Sequence, residues 1–111
     1  MISTHVLDTA RGLPAAGVPV TLELLSAGGD GRTITQTETD ADGRVRELAS
    51  AGTSGSGTYR LTFDTAAYFR SVGVESFYPM VSVVFTITDA AQHYHVPLLL
   101  SPFGYSTYRG S

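Results

Sequence analysis

Three stretches of this chain alternate apolar and polar residues with a period of two, which places every second side chain on the same face of a β-strand. Val81, Val83, Phe85 and Ile87 form one row, with Ser82, Thr86 and Thr88 on the other face beside Val84. Tyr59, Leu61 and Phe63 alternate with Thr58, Arg60 and Thr62, and Val18, Val20, Leu22 and Leu24 make a third row. Each reads as a strand with one buried face, so a two-layer sandwich is expected. Gly28-Gly29-Asp30-Gly31, Asp40-Ala41-Asp42-Gly43 and Ser50–Gly57 read as turns or loops between the runs. About eight strands follow from this punctuation. They are Ile2–Asp8, Val18–Leu25, Thr33–Glu38, Arg44–Leu48, Thr58–Phe63, Tyr78–Thr88, His93–Leu100 and Phe103–Arg109.

One short helix is predicted at Asp64–Val72. Asp64 can accept from the first free backbone N–H groups, Ala66, Ala67, Phe69 and Arg70 tolerate helix, and Gly73 can close it. The class is therefore all-β with one short helix. Leu98-Leu99-Leu100 breaks the alternation, because it is apolar on both faces of its strand. The second face needs a cover, and another subunit is expected to supply it in preference to a segment of the same chain.

A length of 111 residues suits a single domain, 1–111, with one modest core. Seven basic and ten acidic residues give a net charge of −3 without a basic run, which argues against nucleic acid or an anionic membrane surface as partner. There is no cysteine, so disulfides, thiolate nucleophiles and sulfur-ligated metals are excluded, in keeping with reducing cytosol. No apolar run approaches the roughly 18 residues of a membrane helix. Thr4, His5 and Asp8 stand where a secretory leader would be apolar, so a cytoplasmic protein is expected.

The remaining reactive repertoire is imidazole, guanidinium, phenol and hydroxyl, which suits water activation and oxyanion stabilisation. His93 and His95 share a strand face, with Tyr94 on the other. A metal site there would need a third ligand, and none has recognisable spacing, so no metal and no cofactor are expected. Taken singly, His5 reads as a structural strand histidine, and Arg44 as an exposed residue paired with Asp40 or Asp42. Those two carboxylates read as acceptors for turn backbone. The chain closes on Tyr108-Arg109-Gly110-Ser111, where a guanidinium beside a phenol suits a flat anionic ligand.

Several motifs together resemble one family, the transthyretin-related 5-hydroxyisourate hydrolases of purine degradation. The resemblance rests on Ser3-Thr4-His5-Val6-Leu7-Asp8-Thr9 with Gly12 and Pro14-Ala15, on Thr39-Asp40-Ala41-Asp42-Gly43-Arg44, on His95-Val96-Pro97-Leu98-Leu99-Leu100-Ser101-Pro102, and on the closing tetrapeptide. It implies a transthyretin-like β-sandwich of two four-stranded sheets, assembled as a homotetramer (a dimer of dimers) with the active site where dimers meet. It also implies hydrolysis of the cyclic amide of 5-hydroxyisourate to 2-oxo-4-hydroxy-4-carboxy-5-ureidoimidazoline, without a metal. His5, Arg44 and His95 become the expected catalytic residues, and Tyr108, Arg109, Gly110 and Ser111 the expected substrate-binding tail. Within that tail Tyr108 is expected to pack on the substrate ring or to orient His95, and Arg109 to serve structurally beneath it. His93 falls outside the set. The related hormone carrier, which shares the fold, lacks the terminal tetrapeptide and the polar site residues.

Overall fold

The structure, a computed structural model, describes residues 1–50 and 55–111. Among these residues nine strands and one helix follow in order: β1 (Ile2–Asp8), β2 (Leu13–Pro14), β3 (Pro19–Leu25), β4 (Gly31–Glu38), β5 (Arg44–Ala49), β6 (Gly57–Phe63), α1 (Thr65–Ser71), β7 (Val81–Ile87), β8 (Tyr94–Ser101) and β9 (Gly104–Thr107). One sheet runs β2-β1-β8-β9 with β5 also paired to β1, and the other runs β4-β3-β6-β7. The expected two-sheet sandwich is present. The strand beyond the expected eight is β2, whose two residues pair with the end of β1 (Leu7 with Pro14, Asp8 with Leu13) and are too few to show a period. The expected strand at Tyr78–Thr88 begins at Val81, because Pro79 has no N–H to offer a ladder. The expected last strand stops at Thr107, and the chain touches the sheet once more where Gly110 bridges His95. Part of the expected Ser50–Gly57 loop, at 51–54, lies outside the described residues.

All three alternating rows face inward. Val18, Val20, Leu22, Tyr59, Leu61, Phe63, Val81 and Ile87 are buried and meet Ile2, Val6, Leu98 and Leu100 from the opposite sheet, with Phe69 of α1 among them. Truncating one such residue, Leu61 to Ala, costs about 2–5 kcal/mol. Helix α1 forms as predicted: Asp64 caps it by accepting from the Ala67 N–H at 3.0 Å, and its chain reverses at Gly73 with φ of +70°. Thr39 ties the loops together, its Oγ1 donating to Ala15 O at 2.7 Å and accepting from Val18 N at 2.9 Å. Tyr68 of α1 donates to the buried Asp8 carboxylate at 2.7 Å, while the other oxygen of Asp8 caps the backbone of Ala10 and Arg11.

One pairing decides the site. β1 and β8 run parallel, in register from Ile2 beside Tyr94 to Asp8 beside Leu100, although about 90 residues separate them. The expectation for the leucine run is refined by this register. Leu98 and Leu100 enter the core and only Leu99 faces outward, half-buried beside Leu7. The outward face is therefore narrower than three consecutive leucines suggest.

Candidate active site

The outer face of the β1 sheet collects polar groups from four separated stretches of chain. His5 stands on β1, flanked by Arg44 across the β5 ladder and by Pro97 across the β8 ladder. Ser3, two residues earlier on the same face, stands beside His95. Arg44 is aimed here by the turn before it. Asp40 Oδ1 accepts from the backbone N–H groups of Asp42 and Arg44, each at 2.9 Å, as expected for a carboxylate in a Gly-containing turn. These bonds hold the Asp40 carboxyl below the usual carboxylate range. Gly43 takes φ of +74° while its carbonyl accepts from Val6 N at 2.7 Å, and a Cβ at this position would lie 2.5 Å from Val6 O. Only glycine allows this approach to β1. The expected ion pair of Arg44 is found elsewhere: Asp42 meets Arg46 at 3.7 Å, and the Arg44 side chain lines a cavity instead.

That cavity, about 220 Å³, is lined by Ser3, Arg44, Arg46, His93, His95 and Ser111. Of the residues expected from sequence, Arg44, His95 and Ser111 are brought together directly. His5 adjoins them on the same face and disfavours the charged form of His95. Gly110 has a steric role, since a Cβ there would lie 2.6 Å from His95 Cδ2, and its N–H donates to His95 O at 2.8 Å. The tail thus passes flat against the His95 ring.

Tyr108 and Arg109 are placed differently. Both line a second, more apolar cavity of about 150 Å³ with Phe85 and Tyr94, which His95 also borders. The Arg109 guanidinium stacks 4.5 Å over the Tyr94 ring and donates to Gln92 Oε1 at 3.0 Å. These contacts fasten the tail, and Arg109 does not line the cavity that holds Arg44 and His95.

Ser3, Arg46 and His93 line the cavity but were not expected as site residues from sequence. Ser3 Oγ lies 2.8 Å from His93 Nε2 and 2.8 Å from His95 Nδ1, joining the two imidazoles through one hydroxyl. The shared face of His93 and His95 was the available signal, but the bridging serine belongs to a strand far away in sequence. Burial, then the Arg44 guanidinium and the neighbouring His93 and His5 imidazoles, disfavour the charged form of His95, so its imidazole lies below its ordinary value and is neutral near pH 7. Such a ring beside a guanidinium can take a proton from water while the cation stabilises an adjacent oxyanion. Among the described residues, no group of three or more His, Asp or Glu side chains is arranged to hold a metal ion.

Residues 2–110 match the family described as HIUase/Transthyretin. The chain belongs to that family. It is 51% identical over 111 residues to the 5-hydroxyisourate hydrolase of Mus musculus, covering 99% of this chain and 94% of the mouse protein. Among solved structures it is similar to the Klebsiella pneumoniae 5-hydroxyisourate hydrolase, with a TM-score of 0.86 and 39% identity over 99% of this chain and 92% of that one. It is also similar in shape to sea bream transthyretin in complex with thyroxine, with a TM-score of 0.92 and 34% identity over 98% and 93% of the two chains. A protein named as a hydrolase and one named transthyretin thus share the architecture, so the fold alone does not decide the function.

Proposed function

We propose that this chain is a 5-hydroxyisourate hydrolase that opens the cyclic amide of its substrate by general-base attack of water. The observation that carries the reading is the meeting of a neutral His95 with Arg44 and Ser111 around one cavity, with His5 beside them. His95 takes the proton from water, and the resulting hydroxide attacks the ring carbonyl. Arg44 holds the urate-like ring and stabilises the tetrahedral oxyanion, and one well-placed donor of this kind is typically worth about 3 kcal/mol. His5 orients the substrate or the water beside Arg44. The tail closes the site with Gly110 and Ser111, fastened from behind by Arg109, and Tyr108 borders the second cavity. Close identity to a named hydrolase over nearly the full length of both chains supports the reaction.

The assembly belongs to the same proposal. One transthyretin-like domain, 1–111, forms a homotetramer in which paired outer faces of the β1 sheet enclose the substrate, covering the half-buried Leu7 and Leu99. A reducing cytoplasmic setting is compatible with a chain that has no cysteine. No helix among the described residues is long and apolar enough to cross a membrane.

The test is the ultraviolet decay of freshly oxidised urate, corrected for spontaneous loss. The expected outcome is catalysed decay. The likeness to a thyroxine-bound carrier favours a second reading, a binding module, which predicts saturable binding with decay at the uncatalysed rate.

A further inference from the structure

We propose that Ser3 is a positioning residue that links His95 to His93 as a proton relay, so that the proton removed from water in the reaction proposed above comes to rest on His93 and not on His95. The inference rests on that reading for its direction and on the geometry of three side chains for its existence.

A serine hydroxyl carries one proton and can accept others. With Ser3 Oγ at 2.8 Å from both His93 Nε2 and His95 Nδ1, it donates to only one ring at a time, and the other ring must donate to it. The two imidazoles are thereby forced into complementary tautomers. When His93 Nε2 accepts, His95 Nδ1–H donates to Ser3, and His95 Nε2 keeps the lone pair a general base needs. When His95 Nδ1 accepts, His95 carries its proton on Nε2 and is a donor. One shift of protons through Ser3 therefore changes His95 from base to acid, the two roles that amide hydrolysis requires in succession.

The step balances without a further reactant. A water O–H breaks and its proton joins His95 Nε2. The Nδ1 proton of His95 passes to Ser3 Oγ, and the hydroxyl proton of Ser3 passes to His93 Nε2. The hydroxide bonds to the ring carbonyl carbon, leaving one negative charge on the tetrahedral oxygen and one positive charge on His93. When the carbon–nitrogen bond breaks, the same protons return in reverse order and His95 Nε2–H protonates the leaving nitrogen. His95 is a poor resting place for the charge, being half-buried and facing Arg44, whereas His93 is the more exposed of the two imidazoles. Ser3 itself is buried and is held beside His95 by the β1–β8 ladder, which keeps its hydroxyl within reach of both rings.

The experiment measures kcat and KM for Ser3→Ala, Ser3→Thr and His93→Gln, together with the imidazole ¹⁵N shifts of the unliganded protein. Ser3→Ala is expected to lower kcat about tenfold or more with little change in KM, and to change the tautomer signature of both rings. Ser3→Thr keeps the hydroxyl on a β-branched strand residue and is expected to restore both readouts. His93→Gln alters an exposed side chain and leaves the fold intact, so it tests the relay even where Ser3→Ala fails to fold. Its kcat should fall to a similar extent. Wild-type kcat in His93→Gln, or ¹⁵N shifts in Ser3→Ala that move for one ring only, would overturn the relay. If the wild-type protein does not accelerate substrate loss, the hydrolase reading fails, and the ¹⁵N measurement still decides whether the two rings are coupled.

Discussion

The outer faces of the two sheets make opposite use of similar residues. On the β4-β3-β6-β7 sheet, Glu23 and Arg60 stand directly opposite across the β3–β6 ladder and form a two-pronged pair at 2.9 and 3.1 Å. Thr62 and Ser82 pair at 3.1 Å nearby. Charges and hydroxyls there answer one another. On the β1 sheet, Arg44 lies opposite His5, an imidazole and not a carboxylate, and Ser3 is shared by two imidazoles. Among the described residues, no carboxylate side chain lines the cavity. A sheet face that neutralises itself has little left for a ligand, whereas one that gathers cations and neutral bases around a cavity is fitted to a planar anion.

The sharpest way to break this contrast is to remove the base and the cation that face the cavity. His95→Asn and Arg44→Met should each lower kcat/KM for 5-hydroxyisourate by about two to three decades, with unchanged thermal unfolding. Rates within about threefold of wild type in either variant would remove the general-base scheme built on that residue. The pH profile sharpens the same point. Burial, Arg44 on β5, His5 on β1 and His93 before β8 all disfavour the charged form of His95, and Arg46 adds a further cation to the cavity wall. The base form therefore persists as the pH falls below the ordinary imidazole value of about 6.5. The acid limb of kcat/KM should lie below that value, and a limb above it would contradict the arrangement.

A somewhat smaller loss is expected from Gly110→Ala, which adds no charge and removes no donor. The new methyl group would overlap the His95 ring, and neither the ring, held by Ser3, nor the tail, latched by Arg109 on Tyr94, has an easy way to yield. Displacing a catalytic group by about 1 Å can cost on the order of a hundredfold in rate. Activity measured on protein whose size-exclusion profile matches wild type would check it, and full turnover would show that the tail is not seated against His95.

Much of this architecture was legible in the chain. Val18 to Leu24, Tyr59 to Phe63 and Val81 to Ile87 announce their inward faces because alternation is local, and Asp64 with Gly73 brackets the helix for the same reason. Arg44, His95 and Ser111 were legible through the motifs that contain them, and the structure gathers them at one cavity. What the chain did not disclose depends on distant register. Nothing near Ser3 shows that it will lie beside His95 in a parallel pair, and nothing near Arg109 shows that it will turn onto Tyr94 while its neighbour Gly110 packs against the imidazole. The leucine run misled in part, because three adjacent apolar residues look like two buried faces until the register sends Leu98 and Leu100 to the core and Leu99 alone outward.

The smallest effect belongs to the self-neutralised face, and it tests the comparison from the other side. Glu23→Gln removes one charge from a pair whose side chains remain partly open to water, where such pairs contribute about 0–1 kcal/mol. The bonds from Arg60 hold the Glu23 carboxyl below its ordinary value in the folded chain. A lowered carboxylate value means that the contribution is complete above the unfolded-state value of about 4.3 and disappears as the pH falls through the lower folded value. Denaturant unfolding at pH 7 should therefore show a loss of no more than about 1 kcal/mol that vanishes in strong acid, while turnover is unchanged at every pH at which the wild type works. A large loss of activity in Glu23→Gln would mean that the two faces are coupled through the core, and that the division between a structural sheet and a chemical one does not describe this protein.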